Sequence, residues 1–407
     1  MYIARKMTLS AKGGKRSPAL KVAVISTALS IAIMILAVSI VAGFRQEIRS
    51  KITGFDAHIT LFPSVQFEGD MTMLTYTPEF RKFLESQPYI RHASLLATAP
   101  VLLKTPDHFK GVYLRGVEPD YDFTFIRNNL TAGKIPDIDK HPDDLVISTS
   151  TAEKLGLAPG DSVNMFMVSD EIRARKMRVA ALFDTHFKNY DQYFAYGSAE
   201  AVRQVTGLKE AQGSAIEILT DDFYKIPEHT GSLIRALDGA IESGQVRQSL
   251  QVTTALEKGA NYFAWLDLLD TNVWVILTLM TIVAAFTLIS GMLIIILEKV
   301  RFIGVMKALG ATRGQVRRIF IILALRVSLI GLAIGNAVAI GLILLQRSTH
   351  FIPLDADAYY MDFVPMDLNW WHLLLINAAF LVIIYACLIL PSQFASRVNP
   401  VRTLNRE

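Results

Sequence analysis

Four blocks of the chain, residues 22–44, 273–297, 327–345 and 370–390, contain no Asp, Glu, Lys or Arg, whereas charged positions recur every few residues elsewhere. Crossing a bilayer's hydrocarbon core takes roughly 20 helical residues, and within lipid a helix satisfies the backbone of such a lone segment. The pattern predicts transmembrane helices at 22–44, 271–297, 319–345 and 370–390, the third completed by residues ahead of its uncharged block. The first has an apolar core of 23 residues. That exceeds the roughly 7–15 of a cleaved signal peptide, so the helix is expected to remain as an anchor.

Residues 45–270 alternate strand and helix signals, predicting a large α+β domain inserted between the first and second helices. Thr77-Pro78-Glu79 offers a capping hydroxyl followed by proline in the first turn. Helices over 150–155 and 198–206 are closed by Gly156 and Gly207. After the turn at Pro159-Gly160-Asp161, Val163, Met165 and Met167 alternate as in a half-buried strand, with 178–183 as its expected partner across a loop at 169–173. Both membrane connections read as helical stalks. Phe44, Ile48 and Ile52 follow the first crossing at helical spacing, and Leu256, Phe263, Trp265, Leu266 and Leu269 precede the second. Such spacing fits either amphipathic packing between helices or a stiff rod that passes motion outward.

Charge placement orients these elements. Hydrophobic residues make up 52% of the 407 and charged ones 19%, below the roughly one quarter of soluble proteins. The net charge of +4 is unevenly spread. Segment 1–21 holds Arg5, Lys6, Lys12, Lys15, Arg16 and Lys21 without an acid, and segment 298–318 holds Lys299, Arg301, Lys307, Arg313, Arg317 and Arg318 against Glu298. The tail 391–407 carries Arg397, Arg402 and Arg406, while the short loop 346–369 carries Asp355, Asp357, Asp362 and Asp367. The positive-inside rule then places both termini and 298–318 in the cytoplasm, with 45–270 and 346–369 outside. Trp370 and Trp371 sit where an interfacial aromatic belt belongs. Arg326 reads either as a snorkelling side chain near the cytoplasmic end or as a functional intramembrane charge. The single cysteine, Cys387, excludes an intrachain disulfide.

No catalytic pattern appears. A P-loop, a His-Glu-x-x-His zinc site and a serine nucleophile elbow are all missing from the sequence. No cofactor or metal is expected on this chain. His58, His92, His108, His141 and His186 are scattered and read as surface residues rather than ligands. The basic clusters flank membrane helices, where topology accounts for them, so no nucleic-acid partner is expected.

The loop after the second helix carries the most specific signal. Phe302, Val305, Met306 and Leu309 fall at i, i+3, i+4, i+7 of a short helix, Gly310 can stop it, and Thr312 to Gln315 has capping-box spacing. Gly304, Ala308 and Gly310 lack bulk and allow close approach. Two readings fit: a helix lying on lipid headgroups, and a coupling helix docked on a cytoplasmic motor.

The run Glu298-Lys-Val-Arg-Phe-Ile-Gly-Val-Met-Lys-Ala-Leu-Gly-Ala-Thr312 resembles the E-x-x-x-x-I-G-x-x-[KR]-A-[LM]-G-A signature of FtsX/MacB-type ABC transporter permeases. The resemblance implies that Glu298, Arg301, Ile303, Gly304, Lys307, Ala308, Leu309 and Gly310 form the interface with an ATPase. Gly43-Phe44-Arg-Gln-Glu47-Ile48 with Lys51-Ile52 is similar to the region after the first helix in the lipoprotein-releasing permeases LolC and LolE. Residues 145–161 resemble the A-x-x-L-G-[LV]-x-x-G-D element of the wider family, and 391–404 its cytoplasmic tail. The stretch 168–176, where LolC-like subunits carry a carrier-binding hairpin, is short and lacks proline, as in LolE-like ones. MacB's N-terminal ATPase domain has no counterpart in the resemblance, so the motor is expected to be a separate chain.

What the resemblance implies is a multi-pass permease of a bacterial inner membrane with a MacB-like periplasmic domain. It would work with a LolD-like ATPase dimer that binds ATP and Mg, and with a second permease copy or paralogue. Lipoprotein would be its substrate and a LolA-like periplasmic protein its carrier. An adjustable apolar lining for acyl chains is expected at Met34, Ile35, Val38, Met280 and Phe286, each of which also suits ordinary helix packing. Gly331-x-x-x-Gly335 permits close helix contact or faces lipid. The alternatives are a mechanotransmission or efflux permease of the same superfamily, and a membrane-anchored periplasmic binding or sensor protein without a motor.

Overall fold

The structure, a computed structural model, describes residues 18–64, 73–168 and 172–397. The basic residues ahead of Pro18, Arg402 and Arg406, and positions 169–171 of the expected hairpin loop lie outside the described residues. Helix α1 (Pro18–Phe55) leads into β1 (Ile59–Pro63), α2 (Pro78–Glu85), β2 (Ile90–Lys104) and β3 (Phe109–Val117). Next come β4 (Leu130–Gly133), β5 (Asp144–Ser148), α3 (Thr149–Leu155), β6 (Ser162–Val168) and β7 (Ile172–Phe183). Strand β8 (Phe194–Ser198), α4 (Ala199–Thr206), β9 (Ala215–Thr220), α5 (Ile226–Glu242) and β10 (Leu250–Thr254) complete the outer domain. The chain ends with α6 (Ala260–Glu298), α7 (Val300–Ala308), α8 (Arg313–Thr349) and α9 (Trp370–Arg397), and short helical turns and a two-stranded ribbon fill the gaps.

Two compact units result. One holds residues up to Gln46, Trp265–Pro353 and residues from Val364; the other holds Glu47–Ala264 and Leu354–Phe363. The chain therefore passes between them four times, and 354–363, expected to be plain loop, belongs with the outer domain.

Among the described residues, four helices are long and apolar enough to cross a membrane, in Leu20–Phe55, Ala260–Glu298, Arg313–Thr349 and Trp370–Ile389, the first two continuing into the second unit. Three exceed the expected bounds because no proline or glycine cluster interrupts their polar flanks. Ile31, Met34, Ile35, Leu288, Phe320, Leu323 and Phe380 make up much of their shared core. Polar atoms inside it are paired: Ser26 donates to Thr287 at 3.1 Å, and the Asn336 and Asn377 amides donate to each other at 2.8 and 2.9 Å. At its outer end, Gly43 meets the carbonyl of Pro365, where a Cβ would lie 2.5 Å from the oxygen. Arg45 pairs with Asp270, and Phe44 meets Trp265 edge-on at 5.9 Å, joining α1 to α6.

Gly331 and Gly335 face α1. A Cβ at 335 would stand 2.5 Å from the Ala28 carbonyl oxygen, and one at 331 would stand 2.7 Å from Thr27. Backbone cannot yield as a flexible side chain does, so Gly335→Leu is expected to cost about 1–3 kcal/mol as overpacking. Its thermal midpoint in detergent should fall below that of the unsubstituted chain.

The outer unit is a mixed sheet with a closed section. Strand β2 pairs with β3, β3 with β8, β8 with β5, β5 with β7, β7 with β6, and β6 returns to β2. Six strands thus close a ring. The β3–β8 and β5–β7 contacts are parallel and the rest antiparallel. Closure removes edges that would otherwise invite mispairing. Ala99, Val101, Leu114, Ile147, Met165, Val179 and Ala195 fill the centre. Beyond the ring, the first half of β2 continues through β9 and β1 to β10, covered by α2 and α5 around Leu61, Phe80, Ile216 and Leu233. Thr77, Ser148 and Ser198 cap α2, α3 and α4, and Gly156 and Gly207 close the last two with left-handed backbone. The strand expected at 178–183 begins earlier, at Ile172, so β6 and β7 form a tighter hairpin. Histidines 58, 92 and 186 are half-buried.

Candidate functional site

The segment from α6 to α8 is built by its own termini. Helix α7 ends in two reverse hydrogen bonds, Gly310 N to Lys307 O and Ala311 N to Met306 O, both 3.0 Å. That is a Schellman stop. It needs left-handed backbone, and Gly310 has φ +92°. Thr312 then opens α8 in a reciprocal box: its amide donates to Gln315 Oε1 at 2.9 Å, and the Gln315 amide donates to its hydroxyl at 3.3 Å. The nine-residue helix α7 is thereby joined to α8 by two fixed turns in succession.

Its faces differ from the expected ones. Ile303 is 0% exposed and packs, with Met306 and Ala311 beside it, on a core that includes Val316 and Phe320. Gly304 is also buried. Ile303 and Gly304 therefore anchor the helix to its own chain instead of offering contact. Met306 likewise leaves the outward stripe. What remains outside is Phe302, Val305 and Leu309, at 38, 47 and 84% exposure, on one face at i, i+3, i+7. Glu298, Arg301, Ala308 and Gly310 are exposed around it and Lys307 is half-buried. Burial, then the neighbouring Arg313, lowers the Lys307 pKa. Helical periodicity detected an apolar stripe but could not divide it between two apolar faces.

Within this chain the residues expected to line a membrane cavity do not share one groove. A groove of about 390 Å³ runs between α1, α6 and α9, lined by Met34, Trp274, Leu277, Phe380 and Ile383 among others. Of the five residues expected there, Met34 alone lines it. Ile35 is 3% exposed in the helix core, Met280 packs against that core, Val38 is half-buried, and Phe286 is 68% exposed. Positions 280 and 286 lie about 120° apart around a helix, so they do not share one narrow face.

In the outer unit, the end of α1 is held in a socket that the sequence reading missed. Phe55 is 1% exposed and meets the rings of Phe125, Phe183, Phe187, Tyr190 and Phe194. Arg115, 3% exposed, donates to the Phe55 carbonyl and to Glu217. Asp56 accepts from Tyr190 at 3.0 Å and from Lys258 at 2.8 Å. One signal was available: Arg115 and Glu217 interrupt the otherwise uncharged runs 111–117 and 215–219.

Nearby, Asp191 accepts from the Thr185 hydroxyl at 2.7 Å and amide at 3.0 Å. Burial nevertheless pushes its carboxyl from 3.8 to about 6. A carboxyl raised on folding adds stability that is complete below its unfolded value and is lost as pH rises through the folded one. Between about pH 4 and 6 this group should therefore withdraw up to about 3 kcal/mol. Asp191→Asn is expected to flatten the fall in thermal midpoint over that window; an unchanged slope would assign it elsewhere.

Among the described residues, no group of His, Cys, Asp or Glu could hold a metal ion. The profile of the MacB-like periplasmic core domain matches residues 22–234, and that of the FtsX-like permease C-terminal region matches 274–400. The lipoprotein-releasing system transmembrane protein LolC of Neisseria meningitidis is 25% identical, over 95% of this chain and 94% of its own length. LolE of Haemophilus influenzae, with the same system name, is 23% identical over 95% and 94%. The macrolide export ATP-binding/permease protein MacB of Agrobacterium fabrum is 24% identical over 90% of this chain and 55% of its own.

Proposed function

This chain belongs to the FtsX/MacB-type ABC transporter permeases, and from that premise we propose that it extracts lipoproteins from the outer leaflet of a bacterial inner membrane. The observation that carries the reading is the match to lipoprotein-releasing permeases along 95% of the chain, outer domain and α7 included. Both termini and α7 face the cytoplasm and the outer domain faces the periplasm, in keeping with the distribution of basic residues.

Phe302, Val305 and Leu309 dock on a separate LolD-like ATPase dimer, which binds the ATP and Mg. The buried Ile303 passes its push into the helix core, and the fixed turns that join α7 to α8 carry it into α8. Helices α1 and α6 each run without interruption into the outer domain, so their displacement moves it. Two permeases, identical or paralogous, enclose the lipid-modified substrate and hand it to a LolA-like carrier. The apolar groove beside Met34 and Trp274 suits an acyl chain. The MacB relative favours efflux as the second reading.

Proteoliposomes containing this chain, its ATPase and a triacylated lipoprotein distinguish the two. ATP-dependent appearance of the lipoprotein on a soluble carrier is expected. ATP-dependent macrolide efflux, or activation of an envelope hydrolase, without lipoprotein release would overturn the reading.

A further inference from the structure

Lys51 is 4% exposed near the end of α1. Burial lowers its pKa, against the opposing charges of Glu47, Asp191 and Asp362. Removing an ammonium from water costs several kcal/mol unless partners replace the hydration. Here they do. Its Nζ donates to the Thr185 carbonyl at 2.6 Å and the Tyr360 carbonyl at 2.5 Å, and lies 3.7 Å from Glu47. The two carbonyls come from segments far apart in sequence: the turn after β7, and the stretch 354–363 between α8 and α9.

Backbone strain gathers at the same two segments. Four non-glycine residues among those described have positive φ, and two of them are His186 at 57° and Tyr360 at 62°. Conformations of this kind cost free energy and persist where surrounding contacts over-determine them. His186 Nε2 lies 2.8 Å from Asp362, and its Nδ1 lies 3.3 Å from Asp184. The Tyr360 ring meets Phe187 at 5.2 Å and Tyr262 of α6 at 5.5 Å. Asn189 donates to the Tyr262 hydroxyl at 3.2 Å. Four segments converge on one joint: α1, α6, the 184–191 turn and the 354–363 stretch.

We infer that Lys51 pins the 354–363 stretch to the outer domain, making the connection between α8 and α9 a third attachment that moves with both stalks. The chain enters and leaves this stretch from the helical unit, so displacement of either α8 or α9 pulls on it. Lys51 is a positioning residue, and its place in cargo release rests on the function proposed above.

Hydrogen–deuterium exchange on the full chain in lipid nanodiscs tests the pin without reference to cargo. Leu354, Tyr359 and Tyr360 have amides bonded within the stretch, so loosening is readable. Lys51→Met should raise exchange about tenfold in 354–363 and 184–191, the loss expected for one charge-assisted hydrogen bond, and leave the ring of β2, β3 and β5–β8 unchanged. Lys51→Arg, which can still donate to both carbonyls, should restore protection. With the ATPase and lipoprotein present, Lys51→Met should hydrolyse ATP but release cargo about tenfold more slowly, the fold-change carried over from the same bond. Unchanged exchange in 354–363, or a uniform rise across the outer domain, would overturn the inference. If Lys51→Met cannot be purified, Asp362→Asn is read by the same exchange criterion. A wild-type chain that releases no lipoprotein while the exchange pattern holds would sink the transport reading and keep the pin.

Discussion

Arg115→Met is expected to lower the stability of the outer domain by about 3–5 kcal/mol, the cost of breaking a buried ion pair from one side. Both members are almost sealed, with side chains 3 and 8% exposed for Arg115 and Glu217. Methionine fills much of the arginine's volume but donates nothing, leaving the Glu217 carboxylate and the Phe55 carbonyl without their donor. Burial works against the arginine's charge, yet Glu217 holds its pKa well above the ordinary value. The arginine therefore stays charged at any accessible pH. Replacing both partners removes the stranded charge, so Arg115→Met with Glu217→Leu should recover most of the loss. Denaturant unfolding of the full chain in detergent reads the difference. A single variant within about 1 kcal/mol of wild type would mean that water reaches Glu217, since exposed pairs contribute no more than that.

Arg115 also marks the boundary of what the sequence displays. The four membrane helices were legible because lipid imposes a rule on uninterrupted runs of residues. The turns between α7 and α8 were legible for a similar reason: Gly310 and the Thr312–Gln315 box act over a few residues, whatever surrounds them. The orientation of Ile303 was not, because it depends on Val316 and Phe320 in the next helix. The closed ring was also hidden, since its two parallel pairings join strands far apart in the chain. Gly43 was part of a family-like run, but its reason, the Pro365 carbonyl against it, lies in a segment more than 300 residues away. Met280 and Phe286 were grouped by residue type, and helix geometry separates them.

The second large effect is expected at the outward stripe of α7. Leu309 is 84% exposed and Val305 47%, so neither holds the fold together. On the proposed function this exposed apolar row is the surface that meets the ATPase. Charging it with Val305→Asp and Leu309→Asp places two carboxylates where a partner would have to bury them. Association with the ATPase should fall at least about 100-fold, because each unpaired buried charge costs several kcal/mol. The thermal midpoint of the chain alone should stay within about a degree, as surface changes usually lie within ±0.5 kcal/mol. Gly304→Trp should fail differently: it disrupts the buried side of α7, lowering both midpoint and association. Loss of the midpoint in the aspartate variant would place the stripe inside the fold.

The central claim is that a separate ATPase drives this permease through the exposed face of α7. A photo-activatable residue at position 309, introduced into the full chain in native membranes, addresses it most directly. On illumination the account predicts a covalent adduct with an ABC ATPase, strong from 309 and absent from a control at position 286 in the membrane helix. Adducts with lipid alone from 309, in a chain that purifies without any ATPase and tolerates Gly304→Trp, would contradict it.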